Sequence, residues 1–424
     1  MRFWEQVSFS GVSFSKSLLW GGSEYFLLAY LVIILGLPPK LAGAVIFASL
    51  VYSALADPIL SMLLAMRKKA RSLSVLMLAG GVLSCISFGA LFALGMWTNN
   101  RPDLIWVVSL IFLFRTAYAL LDLPHNSMLA TLSASPSERS YLVAQRNIFG
   151  SAGRIVISVL LVGSIVTDGG DARMVAIDVT ILAVMSCVSL LSFFPVIKVR
   201  EQQTLAMAKP DNVSLKSLRE IFAHPQFVMV LFTSFIAHSA FPALVQGLPL
   251  VLAENSEVTS PRLLLTVFTA AQAGSAIFWA FASSRMGKQT ILLISSMLFS
   301  FACSLAFISA TEDSVSSTAL LIVSLIGAGY GGVFNSIWSI VPDTLSSEET
   351  IPSIAVAGFA LFTFTNKTAL GFSAFLTGWI GGMDDTWVSH LPPVAAATFL
   401  LPTLGGLIVT LMAGLLSYGR KGSY

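Results

Sequence analysis

Residues 73–132 read LSVLMLAGGVLSCISFGALFALGMWTNNRPDLIWVVSLIFLFRTAYALLDLPHNSMLATL. The run 73–97 carries no charged side chain, and the run 104–132 carries Arg115 and Asp122 in an apolar setting. Between them stand Asn99, Asn100, Arg101 and Pro102, a polar and helix-breaking stop. A bilayer core of about 30 Å takes about 20 mostly apolar residues in a helix. Both runs satisfy that length. Helices satisfy their own backbone hydrogen bonds in lipid, and the alternating pattern of a membrane β-strand is absent. This stretch therefore predicts two neighbouring membrane helices joined by a short loop.

The same rhythm extends in both directions. It predicts twelve helices, over 12–38, 40–66, 73–97, 104–132, 143–166, 174–197, 226–253, 262–284, 290–310, 318–342, 351–380 and 392–418. Composition agrees: of 424 residues 56% are hydrophobic and 11% charged, against about 25% charged in soluble domains. Mean hydropathy is +0.84. The formal net charge of +3 is too small and dispersed for nucleic-acid binding. Cys85, Cys187 and Cys303 lie far apart in apolar runs and read as small hydrophobes, without metal-ligand spacing. The first residues lack the basic, apolar and cleavage pattern of a removable signal peptide.

Lysine and arginine set the expected orientation. With the N-terminus inside, the basic turns Arg67-Lys68-Lys69 and Arg285 to Lys288 fall on the cytoplasmic side. So do Lys198, Arg200, Lys209, Lys216 and Arg219, whereas only Lys40, Arg101, Arg173 and Arg262 fall outside. Both termini are then cytoplasmic. The longest hydrophilic stretch, 198–225, divides the chain into an N-terminal six-helix bundle, 1–197, and a C-terminal one, 226–424. The two basic turns end corresponding helices of the two halves. An all-α membrane protein of two six-helix halves is the build of the major facilitator superfamily.

Charges inside membrane helices cost about 2.5–3.5 kcal/mol each on insertion scales and usually face a cavity or a partner. Lys16, Arg115, Arg146, Arg154 and Lys367 are the embedded cations, and Glu24, Asp57 and Asp122 the embedded acids. Lys16, Trp20 and Glu24 recur every fourth residue and share one helix face. Tyr118 and Asp122 are likewise four apart, followed by Pro124 and Asn126. Arg115 and Arg154 read equally as static struts for Asp122 and Glu24. His238 and Gln246 read as cavity-lining or packing residues, as do Asn335 and Trp338. The run Gly327 to Gly332 reads as close helix packing.

These residues carry a resemblance. Ala56-Asp57-Pro58-Ile59, the stretch Tyr118 to Pro124, Glu138-Arg139 through Arg146, and Phe364 to Lys367 occur in this order. In that order they resemble the glycoside–pentoside–hexuronide:cation symporter family. The resemblance implies that Asp57 is the cation-coupling carboxylate and that Asp122 binds substrate beside the cation site. It implies that Arg146 and Lys367 are charged site residues, that Lys16 lines the cavity, and that Arg139 belongs to a cytoplasmic gate. The sodium-using members carry further oxygen ligands where this chain has Ser53, Ala56 and Ala119. A carboxylate and a hydroxyl make a poor sodium cage, whereas a proton needs one shielded carboxyl. Proton coupling through Asp57, with Ser53 and Asp122 nearby, is the expectation.

The substrate site departs from the family at Ser17 and Asn126, where an acid and an aromatic platform are usual; Trp20 and Glu24 stand on nearly the same face as replacements. The expected substrate-binding set is Lys16, Trp20, Glu24, Tyr118, Asp122, Asn126, Arg146 and Lys367. A proton-coupled symporter of a small sugar-like or anionic solute follows, a monomer in a bacterial inner membrane. It needs no cofactor or metal, and its partners are the solute and the lipid bilayer. An exporter or lysolipid carrier of the same fold, and a non-transporting membrane sensor, are the alternatives. No metal cluster, acyl-transfer set or nucleotide loop is present in the sequence, which argues against an enzyme.

Overall fold

The computed structural model describes residues 2–65, 73–99, 102–132, 136–167, 171–205, 225–254, 261–309, 318–345, 352–383 and 393–421. Described segments that form regular structure are helical. The first span is α1, Phe3–Tyr25, continued past a 48° bend by a short turn and a π-helical turn, Tyr30–Ile34. Then come α2 (Pro39–Ala65), α3 (Leu73–Thr98), α4 (Leu104–Leu132), α5 (Pro136–Val162) and α6 (Ala172–Leu205). Next, α7 is Pro225–Ala240 with its continuation Pro242–Glu254, and α8 is Pro261–Met286. The last four are α9 (Lys288–Ser309), α10 (Thr318–Leu345), α11 (Pro352–Gly381) and α12 (Pro393–Lys421).

Ten of these helices are long and apolar enough to cross a membrane, and the bent first pair makes an eleventh. At 30 residues α11 has ample length for the twelfth. The order and kind of spans match the sequence reading; the ends differ. The first helix begins nine residues earlier than expected, at Phe3, because Trp4 to Ser10 continue the helix without a breaker. The sixth runs on to Leu205, past residue 197.

The chain groups into two compact units, Met1–Leu37 with Ala48–Lys209, and Pro38–Phe47 with Pro210–Tyr424. Four helix pairings recur inside the two units. In the first, α3 packs on α4 and α6, and α1 on α5 and α6. In the second, α9 packs on α10 and α12, and α7 on α11 and α12. Adding six to each helix number of the first set gives the second. That is an internal repeat in three dimensions, where the sequence shows only paired basic turns.

Small residues set the closest approaches. A Cβ on Gly80 would meet the Leu120 backbone at 2.5 Å, which locks α3 against α4. At the equivalent crossing, a Cβ on Gly329 would meet Phe299 at 2.8 Å. The glycine run of α10 thus serves packing, wedging between α8 and α9, and Trp279 donates its indole N–H to the Ala328 carbonyl at 2.8 Å. Gly43, at the start of α2, lies against the Ala374 carbonyl and Gly378 of α11. This close pairing groups Pro38–Phe47 with the second unit.

Two polar ties hold helix ends. Glu201, only 3% exposed near the end of α6, accepts from the backbone N–H groups of Leu73 at 2.5 Å and Ser74 at 3.1 Å. It also accepts from the Ser74 hydroxyl at 2.6 Å. A carboxylate thus caps the N-terminus of α3, where unpaired N–H groups and the helix dipole favour negative charge. In the second unit the Lys288 ammonium, opening α9, donates to both Asp343 oxygens at 2.8 Å and to the Ser339 carbonyl. Replacing Glu201 by Ala is expected to lower stability by about 1–3 kcal/mol, read as an earlier thermal unfolding midpoint in detergent. Glu201→Gln, which keeps an acceptor, loses less.

Candidate functional site

The embedded charges of the first unit converge on three helices. The sequence reading places Lys16, Trp20 and Glu24 on one face of α1. The structure opposes that face to Asp122, Tyr118 and Arg115 of α4. Lys16 and Asp122 form an ion pair, their side chains 9% and 22% exposed. The Trp20 and Tyr118 rings pack 5.0 Å apart, tilted by 35°. The Arg115 guanidinium lies over the Trp20 indole at 4.9 Å and donates to the Ser23 hydroxyl at 3.1 Å. The two faces thus run in opposite charge order: cation, ring, acid on α1 against acid, ring, cation on α4.

The rung at Lys16 is a closed network. Its ammonium meets the Asp122 carboxylate, the Asn126 amide oxygen at 3.2 Å and His125 Nδ1 at 3.3 Å. Arg146 of α5 donates to the same Asn126 oxygen at 2.6 Å and to the Ser13 hydroxyl at 3.3 Å. The Asn126 amide nitrogen donates to Asp122 at 3.0 Å. Its orientation is therefore fixed by charge, with the oxygen toward two cations and the N–H toward the acid.

His125 is a site residue that the sequence reading misses, passing from Pro124 to Asn126. It is fully buried, its ring 4.6 Å from that of Phe9, and its Nε2 lies 2.9 Å from the Phe9 carbonyl. A carbonyl only accepts, so Nε2 carries the proton and Nδ1 offers its lone pair to Lys16. The spacing is there to be read: His125 stands seven residues after Tyr118 and three after Asp122, on the same helix face. It holds the Lys16 ammonium from behind.

Other expected residues fall as follows. Asp57 is half-buried on α2, one turn from buried Ser53. The same helix is tied to α4 by the Tyr52 and Thr116 hydroxyls at 2.9 Å. Lys367 is half-buried on α11 in the second unit, beside buried Asn366, which accepts from Ser234 at 2.6 Å. His238 donates from Nδ1 to the Ser234 carbonyl of its own helix at 2.9 Å and sets its ring edge-on to Phe334. That is a packing role. Trp338 is 47% exposed and packs edge-on to Phe362. The Arg139 side chain lies outside the described residues. Among the described residues no group of His, Cys, Asp and Glu is placed to hold a metal ion.

A repeated bundle of membrane-length helices, with a charged and aromatic ladder buried in it, is the build of a secondary transporter. The pattern of the family described as MFS/sugar transport protein runs over residues 12–416, and the chain belongs to that family. The glucuronide carrier protein homolog of Escherichia coli K12 is 24% identical over 63% of this chain and 58% of its own length. The putative sulfoquinovose importer of Salmonella typhimurium LT2 is 23% identical over 97% of this chain and 86% of its own. The inner membrane symporter YicJ of E. coli K12 is 22% identical over 90% and 83%.

Among solved structures, the nucleoside transporter NupG superposes with a TM-score of 0.67, at 16% identity over 100% of this chain and 100% of its own. A POT family transporter in complex with 5-aminolevulinic acid superposes at 0.69, with 11% identity over 99% and 96%. At such identities these likenesses show the fold alone. The chain is a multi-pass membrane transporter and not an enzyme.

The His125 geometry makes its own prediction. His125→Phe keeps the ring volume against Phe9 but removes the acceptor facing Lys16 and the donor to the Phe9 carbonyl. Stability is expected to fall by about 1–3 kcal/mol, measured as a thermal unfolding midpoint. An unchanged midpoint would reduce the ring to a space-filler.

Proposed function

We propose that the protein is a proton-coupled symporter that imports a small polar solute, sugar-like or anionic, by alternating access. The observation that carries this reading is the Lys16–Asp122–Asn126–Arg146 network. It gathers hydrogen-bond donors and acceptors of both signs onto helices that cross an apolar medium. Charges so placed are costly, and in membrane proteins they mark substrate and ion pathways. A polyhydroxyl solute needs the same mixture: a carboxylate and an amide oxygen to accept from hydroxyls, cations to donate, and a ring face to stack on. Trp20 and Tyr118 supply the ring faces one turn away.

The relatives' names speak of a glucuronide carrier, an importer and a symporter, which supports symport as the mode. Proton coupling rests on chemistry. Sodium must replace its water shell with several oxygen ligands, and around Asp57 the sequence offers Ser53 but Ala56 in place of a side-chain amide. In this reading Asp57 carries the proton, and Asp122 joins the coupling to substrate. Lys367 contributes from the C-terminal half, Arg139 belongs to the gate, both termini are cytoplasmic and the membrane is a bacterial inner membrane.

Reconstituted protein facing a pH-sensitive dye provides the test. Substrate addition is expected to move protons with the solute, and Asp57→Asn is expected to abolish that movement while leaving a folded protein. Asp122→Ala and Lys367→Ala are each expected to weaken substrate binding about tenfold or more, the scale of one lost charge-assisted hydrogen bond. Replacing potassium by sodium is expected to leave affinity unchanged. Proton flux that survives Asp57→Asn, or affinity that rises with sodium, would overturn the coupling assignment.

A further inference from the structure

The Lys16 ammonium sits in a cradle built by a single turn of α4. Asp122, His125 and Asn126 stand at i, i+3 and i+4, so their side chains leave the same helix face. Each turns an acceptor to the ammonium: one Asp122 carboxylate oxygen, His125 Nδ1 at 3.3 Å and the Asn126 amide oxygen at 3.2 Å. An ammonium carries three N–H donors and no acceptor. Three donors thus meet three acceptors around a buried side chain.

The neutral acceptors are aimed by contacts that leave the Lys16 side chain out. The Phe9 carbonyl accepts from His125 Nε2, which turns the Nδ1 lone pair the other way. The second Asp122 oxygen accepts from the Asn126 amide N–H at 3.0 Å, which turns the Asn126 oxygen away from the acid. Arg146 donates to that oxygen at 2.6 Å and so fixes the same orientation. An imidazole and an amide held in this way present their lone pairs whether or not an ammonium is there to meet them. Charge adds a selection. Asp122 and Arg146 alone leave the place about neutral. One monovalent cation restores the native charge, whereas a divalent one exceeds it, and excess buried charge is costly.

From this arrangement we propose that Asp122, His125 and Asn126 form a binding site for a monovalent N–H cation, a primary ammonium, and that Lys16 is its tethered occupant. The acceptors belong to α4, and the cation arrives on α1. A dissolved cation would fill such a site according to its concentration. A tethered one fills it at any concentration and leaves only when α1 draws away from α4. The cradle is sized for N–H donors: contacts of 3.2 and 3.3 Å exceed metal–ligand bonds, which run about 2.0–2.6 Å. The proposal rests on the symport reading for its meaning in transport and deepens it: the chain itself supplies the positive charge at this place, and the solute draws on no metal-ion gradient through it.

Removing the tether while keeping the cradle tests the assignment. Lys16→Ala is followed by thermal unfolding of the purified full chain in chloride salts of methylammonium, tetramethylammonium, sodium and potassium at equal ionic strength. A ligand that binds only the native state raises the midpoint. Lys16→Ala is expected to unfold below wild type, and methylammonium to restore about half of that loss or more, saturably. Tetramethylammonium, with the same charge and no N–H, is expected to restore none of it, and sodium and potassium no more than tetramethylammonium does. In wild type the place is taken, so methylammonium and tetramethylammonium are expected to act alike. Lys16→Ala combined with Asp122→Asn, which removes the carboxylate as well, is expected not to respond to methylammonium. Lys16→Ser is run beside Lys16→Ala, so that failure of one variant to fold leaves the other to answer.

A midpoint that rises no more in methylammonium than in tetramethylammonium overturns the proposal. So does an equal rise in sodium, which would make the place a metal-ion site. An equal rise in the Asp122→Asn double variant also overturns it, by placing the amine elsewhere. Those results leave the symport reading standing. Absence of proton-coupled flux in wild type, with the methylammonium response of Lys16→Ala intact, would instead count against the symport reading alone.

Discussion

The polar face shared by α1 and α4 is arranged around the pairing of Lys16 with Asp122. α1 and α4 run in opposite directions, so one-turn spacings of four and four residues on α1 and of four and three on α4 bring three rungs into register. Only opposite charge order lets all three rungs be favourable at once. Were either helix to slip by one turn, Lys16 would face Tyr118 and Asp122 would lose its cation. An unpaired charge in an apolar interior costs several kcal/mol, which makes this register much harder to shift than one set by apolar packing alone. The His125 lone pair and the Asn126 amide then hold the ammonium and the carboxylate where the rung needs them.

The helices are legible in the sequence because lipid leaves little choice. Long apolar runs have to be helices, and polar breaks have to be loops. The internal repeat is less legible, since it lies in which helix touches which. Glycines such as Gly80 and Gly329 set those contacts at equivalent crossings, and their neighbours in sequence share no motif. The grouping of Pro38–Phe47 with the second unit has no sequence signal either, because the Gly43 contact depends on a partner more than 300 residues away.

The site is partly legible for a related reason. Embedded charges stand out against an apolar background, so Lys16, Glu24, Asp122 and Arg146 are visible at once. Their partners are not. Periodicity gives the face of α1 but not the seat of Arg115 over Trp20. In sequence Arg115 reads as a strut for Asp122 as readily as for Glu24; the structure gives Asp122 to Lys16 and brings Arg115 to the Glu24 end. His125 shares the Tyr118–Asp122 stripe at i+7, but an uncharged imidazole does not stand out as the embedded charges do. Charge reveals itself in sequence, whereas the choice among several opposite charges depends on helix rotation, which small residues and rings decide.

Under the proposed function, a solute entering the Lys16–Asp122 network would compete for hydrogen bonds that hold α1 to α4, so binding and helix register would be coupled by the same atoms. The most direct test of that central pairing is a charge exchange, Lys16→Asp together with Asp122→Lys, compared with each single replacement by thermal unfolding of the purified protein. The pairing predicts that each single change destabilises strongly, by placing like charges together, and that the double change recovers most of the loss. A double variant as unstable as the two single losses added together would contradict it.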